Sequence, residues 1–213
     1  MHQRIAVFVH QPRCSVQSIN GIVRALVPRY TFKIFTRHEI EDDFFDDVDM
    51  VCFPGGLGDS DSYDYLMRSH GQRIRNYIAS GGRYLGICMG AYWADTDYFG
   101  LLNDIRVVQY IKRPNTDTKR PHAKHIAVTW EDIPTRMYFY DGAAFIGEQN
   151  NFETVARYAN GDPMAIIQDR IGLIGCHPEA EQHWYNYYSW MRRHWHGGQW
   201  HMLSKFVDRL MSK

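Results

Sequence analysis

The chain has 213 residues, of which 45% are hydrophobic and 23% are charged, and these values are typical of a globular protein. The length suits a single domain spanning residues 1–213 and excludes two full catalytic domains joined by a linker. Lys plus Arg and Asp plus Glu both total 24, so the formal charge is zero. This balance argues against nucleic acid as a partner.

The start of the chain and its cysteines indicate the cellular compartment. Residues 5–9 form an apolar run that is too short for a signal-peptide core or a membrane span. Cys14, Cys52, Cys88 and Cys176 lie far apart and form no CxxC pair, which argues against a disulfide framework and a structural zinc site. We therefore expect a cytoplasmic protein with no membrane association, no metal and no cofactor.

The first half of the chain alternates between strand-like and helix-like stretches. The pattern predicts strands at 5–9, 31–35, 48–53 and 83–87, and helices at 15–27, 72–80 and 89–97. Residues 39–49 are rich in Asp and Glu but place Ile40, Phe44 and Phe45 at helical spacing, which predicts a further helix with a solvated acidic face. Such alternation is typical of βαβ units around a parallel sheet.

The second half is mostly strand-like. Strands are predicted at 106–111, 125–130, 136–140, 153–158, 164–168 and 172–175, followed by helices at 181–194 and 199–211. Trp184, Tyr188, Met191 and Trp195 share one face of the first of these helices, which predicts packing in the core or at a subunit interface. We expect an α/β protein with a largely parallel central sheet and a β-rich second half.

Residues 112–125 are basic, contain two prolines and lack apolar periodicity, so they are predicted to form a loop. An ordinary solvated loop is one interpretation. The alternatives are a loop that recognises a phosphate or an acidic partner, and a mobile flap over an active site.

The clearest catalytic signal is a cysteine between a predicted strand and a predicted helix. Gly86 and Gly90 stand two residues on either side of Cys88, where they leave room for the sharp turn of a nucleophile elbow. The partial positive charge and free N–H groups of a helix N-terminus favour the thiolate. Cys88 is therefore the candidate nucleophile.

Two further motifs follow predicted strands and could complete a site around this thiol. His177 can act as the base and Glu179, two residues later, can orient its imidazole, although the same residues could be a helix start with a capping acid. The backbone N–H groups of Gly55, Gly56 and Met89 could form an oxyanion hole, although a plain turn would also explain Pro-Gly-Gly. The coincidence of all three motifs at strand ends favours one active site.

These three motifs together, residues 54–56, 86–90 and 177–179, resemble the class I glutamine amidotransferase-like superfamily. This resemblance implies a flavodoxin-like three-layer sandwich and a triad of Cys88, His177 and Glu179. A narrower resemblance, carried by residues 54–56, 81–92 and 140–142, is to the amidotransferase-like N-terminal domain of yeast-type biotin-protein ligases. That domain usually has Asn-Gly-Gly where this chain has Asp141-Gly142-Ala143.

One departure bears on the substrate. Members that hydrolyse glutamine commonly place Gln four residues after the cysteine, where it helps to hold the substrate, and this chain has Tyr92 there. The chain also lacks a Gly-Arg-Gly-Arg motif of the kind that binds biotinyl-adenylate, so the resemblance implies no biotin transfer.

Three functional hypotheses follow from the residues and the resemblance. The first is a thiol-dependent amidohydrolase or amidotransferase-like enzyme acting on a carboxamide or related acyl group of a small molecule. A separate acceptor-activating synthetase would then be its partner, because the chain has no P-loop pattern. The second is a non-catalytic ligand-binding or regulatory module that retains the pocket. The third is a subunit of a nucleobase- or cofactor-modifying amidotransferase. A homo-oligomer is compatible with all three.

Overall fold

The computed structural model describes residues 3–10, 14–41, 43–56, 62–186 and 188–213. Its N-terminal half contains strands β1 (Arg4–Phe8), β2 (Thr31–Phe35), β3 (Met50–Phe53) and β4 (Arg83–Ile87) and helices α1 (Val16–Leu26), α2 (Ser62–Met67), α3 (Gly71–Ala79) and α4 (Met89–Tyr92). Its C-terminal half contains β5 (Ile105–Gln109), β6 (Lys124–Trp130), β7 (Ile133–Phe139), β8 (Ala143–Gly147), β9 (Glu153–Tyr158), β10 (Pro163–Gln168), β11 (Ile171–Ile174), α5 (Gln182–Tyr185), α6 (Ser189–Arg192) and α7 (Gly198–Met211). Short 3₁₀ turns lie at Arg68–His70, Tyr110–Lys112 and Gln149–Asn151.

The strands form one large mixed sheet in the order β2-β1-β3-β4-β11-β10-β9-β6-β7. The pairs from β2 to β11 are parallel, and those from β11 to β7 are antiparallel. A separate antiparallel pair joins β5 and β8. This confirms the predicted α/β class, with a parallel region extended by a β-rich second half.

Helices cover both faces of the parallel region, which gives three layers. On one face, α1 buries Ile19, Ile22 and Leu26, and α7 packs beside it. On the other face, α3 buries Ile74 and Tyr77 against the sheet. Parallel strands buried on both sides have continuous apolar sequences, as β3 does and as β4 does after Arg83.

The sheet order brings the predicted motifs together. Strands β3, β4 and β11 are parallel neighbours, so their carboxyl ends lie at the same edge of the sheet. Gly55, Cys88 and His177 lie within three residues of the ends of these strands. This edge is where open α/β sheets bind their ligands.

Two predicted helices are wrong or shortened. Residues 39–49 form turns, apart from Asp42, which lies outside the described residues. Here the Glu39 carboxylate accepts from the Thr36 N–H at 2.6 Å, and such side-chain bonds compete with helix formation. The helix predicted at 89–97 ends at Tyr92 because Asp95 binds the N–H groups of Thr96 and Val107 at 2.6 and 2.7 Å.

The helix predicted at 181–194 is also wrong, because the chain forms the two short helices α5 and α6 instead. Met191 is fully buried with Trp184 and Trp195 packed against its cluster, as the core-packing prediction requires, but Tyr188 is 42% exposed. Tyr188 has extended backbone between the two helices, which turns it away from the common face. Strand β8 and helix α2 were not predicted.

Helices long and apolar enough to span a bilayer are absent from the part of the chain that the structure describes.

Candidate active site

Cys88 occupies a strained turn between β4 and α4. Its φ of 51° and ψ of −106° are unfavourable for a residue with a side chain. Its N–H donates to the Ile174 carbonyl at 2.8 Å, which ties the turn to β11. A Cβ at Gly86 would lie 2.4 Å from the Gly90 carbonyl oxygen, and one at Gly90 would lie 1.9 Å from that of Phe53. Both glycines are therefore required for the strand and helix to meet at this angle.

The imidazole of His177 lies beside this thiol and is almost fully buried. Its Nδ1 donates to Glu179 Oε1 at 2.8 Å, which leaves Nε2 available to Cys88. Burial alone would lower the pKa of His177, but the Glu179 carboxylate and the interaction with Cys88 raise the pKa to about 10. The site therefore favours the imidazolium.

Glu179 lies behind the histidine and is held by helix α1. Its side chain is fully buried, and its Oε1 accepts from Ser18 Oγ at 2.7 Å as well as from His177. Gly21, about one turn further along α1, lets the Glu179 backbone pack against the helix, because a Cβ at this position would lie 2.1 Å from the Glu179 carbonyl oxygen. Ser18 and Gly21 are two site residues that the motifs did not reveal.

The turn after β3 differs from the expected oxyanion arrangement. The Gly55 N–H donates to Ser18 Oγ at 3.2 Å, so it is already occupied. Gly55 instead makes space for the histidine, since a Cβ there would lie 2.7 Å from His177 Cε1. The N–H groups of Gly56 and Met89 bond no acceptor among the described residues, and they are the remaining candidates for oxyanion donors. Leu57 and Gly58, which complete the predicted glycine-rich turn, lie outside the described residues.

These groups open onto a cavity of about 420 Å³ at the carboxyl edge of the sheet. Six of the seven predicted site residues line it, namely Gly55, Gly56, Cys88, Met89, Tyr92 and His177, and the seventh, Glu179, lies behind His177. Four aromatic side chains contribute to the wall: Tyr92, Tyr138, Tyr140 and Trp184. A thiol, an imidazole–carboxylate pair and free N–H groups beside one cavity are the groups that acyl transfer requires.

Comparison with solved structures shows the fold. A glutamine amidotransferase from Thermotoga maritima aligns with a TM-score of 0.69 at 12% identity, over 100% of both chains. The protein has the class I glutamine amidotransferase-like fold. A structure described as PurLQS, also from Thermotoga maritima, aligns with a TM-score of 0.64 at 15% identity, over 99% of this chain and 100% of that one.

The narrower resemblance is confirmed by sequence comparison. Residues 10–99 match the family model described as Biotin-protein ligase, N terminal. The biotin–protein ligase of Schizosaccharomyces pombe is 26% identical in an alignment that covers 78% of this chain. The match spans only 31% of that protein's length.

Within this amidotransferase-like fold, Tyr92 and Asp141 shape the cavity beside the thiol. The Tyr92 hydroxyl donates to the Asp141 carbonyl oxygen at 3.4 Å, and the Cys88 Sγ lies 3.9 Å from the same oxygen. Burial raises the pKa of Tyr92 well above its usual value, so the phenol stays neutral. Gln109 Nε2 donates to Asp141 Oδ2 at 2.8 Å, whereas Asp141 Oδ1 is buried and bonds no described residue.

The other cysteines are poorly placed for chemistry. Cys176, next to His177 in sequence, is fully buried and contacts the Tyr158 hydroxyl at 3.8 Å. Burial raises the pKa of Cys14 to about 12 and those of Cys52 and Cys176 well above the usual thiol range. Cys88 is therefore the thiol best placed to react.

The basic loop is held to the fold through Arg113. Its guanidinium binds both Asp162 oxygens, at 2.8 and 3.3 Å. This two-pronged ion pair occupies the guanidinium that phosphate recognition would use. Among the described residues, no group of three or more His, Cys, Asp or Glu side chains could hold a metal ion.

Proposed function

We propose that the chain is a thiol-dependent amidohydrolase or amidotransferase-like enzyme that acts on a carboxamide of a small molecule. The observation that carries the proposal is the buried His177–Glu179 pair beside Cys88. Cys88 itself lies in a strained turn and lines the cavity. Backbone strain and strongly shifted pKa values are both concentrated at functional sites, and this site has both.

The proposed reaction begins with Cys88 as thiolate and His177 as imidazolium. The sulfur attacks the amide carbon, and the oxygen that gains charge accepts from the Gly56 and Met89 N–H groups. His177 gives its Nε2 proton to the amide nitrogen, and the C–N bond breaks. Ammonia departs, and the acyl group remains on Cys88 as a thioester. Neutral His177 then takes a proton from water, whose oxygen attacks the thioester. The C–S bond breaks, which releases the carboxylic acid and restores the Cys88 thiolate and the His177 imidazolium.

Ammonia release suggests a partner that uses it. The Schizosaccharomyces pombe relative is named as a ligase, and the chain matches only part of that protein. We therefore include in the proposal a separate acceptor-activating synthetase that receives the ammonia. A role as a subunit of a nucleobase- or cofactor-modifying amidotransferase would use the same local chemistry.

Tyr92 favours one alternative. It stands where glutamine-hydrolysing relatives commonly hold their substrate with Gln, so the cavity could bind a ligand without turning it over. The two functions differ in the chemistry of Cys88: an enzyme forms a thioester there, and a binding module does not.

The test is to incubate the protein with glutamine and a panel of small carboxamides, to quench in acid and to measure both intact mass and ammonia. We expect an acyl adduct on Cys88 and steady ammonia release with at least one amide. Cys88→Ser should lose both while keeping its circular dichroism spectrum, and Cys176→Ala is the matched control that should retain them. Ammonia release that survives Cys88→Ser would contradict the proposal.

A further inference from the structure

One part of the cavity wall, beside His177, is aromatic. Tyr138 contacts Trp184 edge to face, with ring centroids 5.0 Å apart, and both rings lie within 6 Å of the His177 ring centroid. Tyr140, with 53% exposure, stands at the mouth. Faces of Trp and Tyr rings attract cations as well as flat apolar groups, because their electron density is negative at the face.

Asp141 adds negative charge to the same cavity. Its Oδ1 is buried without a hydrogen-bond partner among the described residues, and burial raises the pKa of its carboxyl group. The Gln109 amide and the charge of Lys112 offset this rise only in part. A positively charged ligand group next to Asp141 would relieve the cost of burying the carboxylate.

The cavity offers little to an anionic group. Among the described lining residues there is no lysine and no arginine, and the imidazolium of His177 is already paired with Glu179. Tyr92 donates its hydroxyl proton to the backbone of Asp141. A carboxylate such as that of glutamine would therefore face the like charge of Asp141, with no lysine or arginine among the described lining residues to pair with it.

We propose that this site selects carboxamides that carry a positively charged group on an apolar or aromatic frame, with the cation bound between Asp141 and the aromatic wall. This inference rests on the proposed function, and it names the substrate class.

Three benzamides of similar shape test the inference. The probes are 4-(aminomethyl)benzamide, which is cationic, benzamide, which is neutral, and 4-carbamoylbenzoate, which is anionic. We expect kcat/KM for ammonia release to fall by at least tenfold at each step in that order. In Asp141→Asn, which keeps the side chain's shape and removes its charge, the ratio between the cationic and anionic amides should shrink by at least tenfold. An equal or reversed order in the unaltered protein would overturn the inference.

Binding measured without chemistry separates this inference from the proposed function. In Cys88→Ala, titration calorimetry with the same three amides should give the same order of affinity. If that order holds but the unaltered protein releases no ammonia, the proposed function fails and the charge selection stands. If ammonia is released but neither rates nor affinities depend on charge, the charge selection fails and the proposed function stands.

Discussion

Replacing Ser18 by alanine removes the hydroxyl that joins helix α1, the turn after β3 and the Glu179 carboxylate. Ser18 Oγ donates to Glu179 Oε1 at 2.7 Å and accepts from the Gly55 N–H at 3.2 Å. All three groups are buried, so water does not take the place of the hydroxyl. Ser18→Ala therefore leaves one buried donor unsatisfied and removes one of the two bonds to a buried carboxylate oxygen.

The stability lost in Ser18→Ala can be estimated from these two hydrogen bonds. A hydrogen bond to a charged group contributes about 1.5–3 kcal/mol, and an unsatisfied buried N–H costs about 1–3 kcal/mol. Because neighbouring effects are not additive, we expect a loss of about 3 kcal/mol in the free energy of unfolding, which corresponds to roughly 6–12 °C in Tm for a chain of this size. The Glu179 carboxylate also loses its fixed orientation, and we expect alkylation of Cys88 to slow about tenfold as a result.

The assay is urea unfolding followed by circular dichroism, together with the rate of iodoacetamide reaction at Cys88 near pH 7. The matched control is Ser204→Ala, the same change at a buried serine of α7 that bonds no described residue through its side chain. This control should lose less than about 1 kcal/mol and alkylate normally. If Ser18→Ala behaves like the control in both measurements, the reasoning about Ser18 is refuted.

Three further changes test other parts of the site. In Gly55→Ala, the new Cβ would lie 2.7 Å from His177 Cε1, so Cys88 alkylation should slow at least tenfold with an unchanged circular dichroism spectrum; a normal rate would show that the imidazole is not confined there. The pKa of His177 is raised from 6.5 to about 10, so the stability from its protonated form is present below about pH 6.5 and is lost as the pH rises through 10. In urea unfolding, the unaltered protein should be more stable than His177→Gln, and this difference in the free energy of unfolding should fall by more than about 1 kcal/mol between pH 6.5 and 9.5. A difference that stays constant over this range would contradict the raised pKa of His177. Arg113→Ala loses the ion pair with Asp162 and should cost about 1 kcal/mol without slowing Cys88 alkylation, whereas a slowed reaction would give the loop a role at the site.

The sequence allowed the position of the thiol and the imidazole to be predicted because both depend on local rules. Gly86 and Gly90 around Cys88 encode a sharp turn, and His177 lies three residues after a short apolar strand. Parallel strands present their carboxyl ends at one edge, so residues that follow β3, β4 and β11 meet once these strands are neighbours.

Glu179 itself was predicted, but the contacts that hold it behind the imidazole could not be predicted in this way. Ser18 and Glu179 are 161 positions apart, and a serine in an amphipathic helix carries no sign of its partner. The use of the Gly55 N–H by Ser18 likewise depends on how α1 packs beside the turn.

The acidic segment at 39–49 was predicted as a helix because Ile40 and Phe44 have helical spacing. Both side chains are buried, but the segment that carries them forms turns. Apolar spacing alone therefore does not distinguish a helix from a series of turns when a side-chain carboxylate competes for backbone N–H groups.

Selective alkylation tests most directly whether Cys88 is a nucleophile activated by His177. The protein is treated with limiting iodoacetamide near pH 7, digested and mapped by mass spectrometry over time. We expect Cys88 to be carbamidomethylated at least tenfold faster than Cys14, Cys52 or Cys176, and His177→Gln to slow that reaction at least tenfold. A Cys88 that reacts no faster than the buried cysteines, or equally fast without the imidazole, would contradict the proposed chemistry.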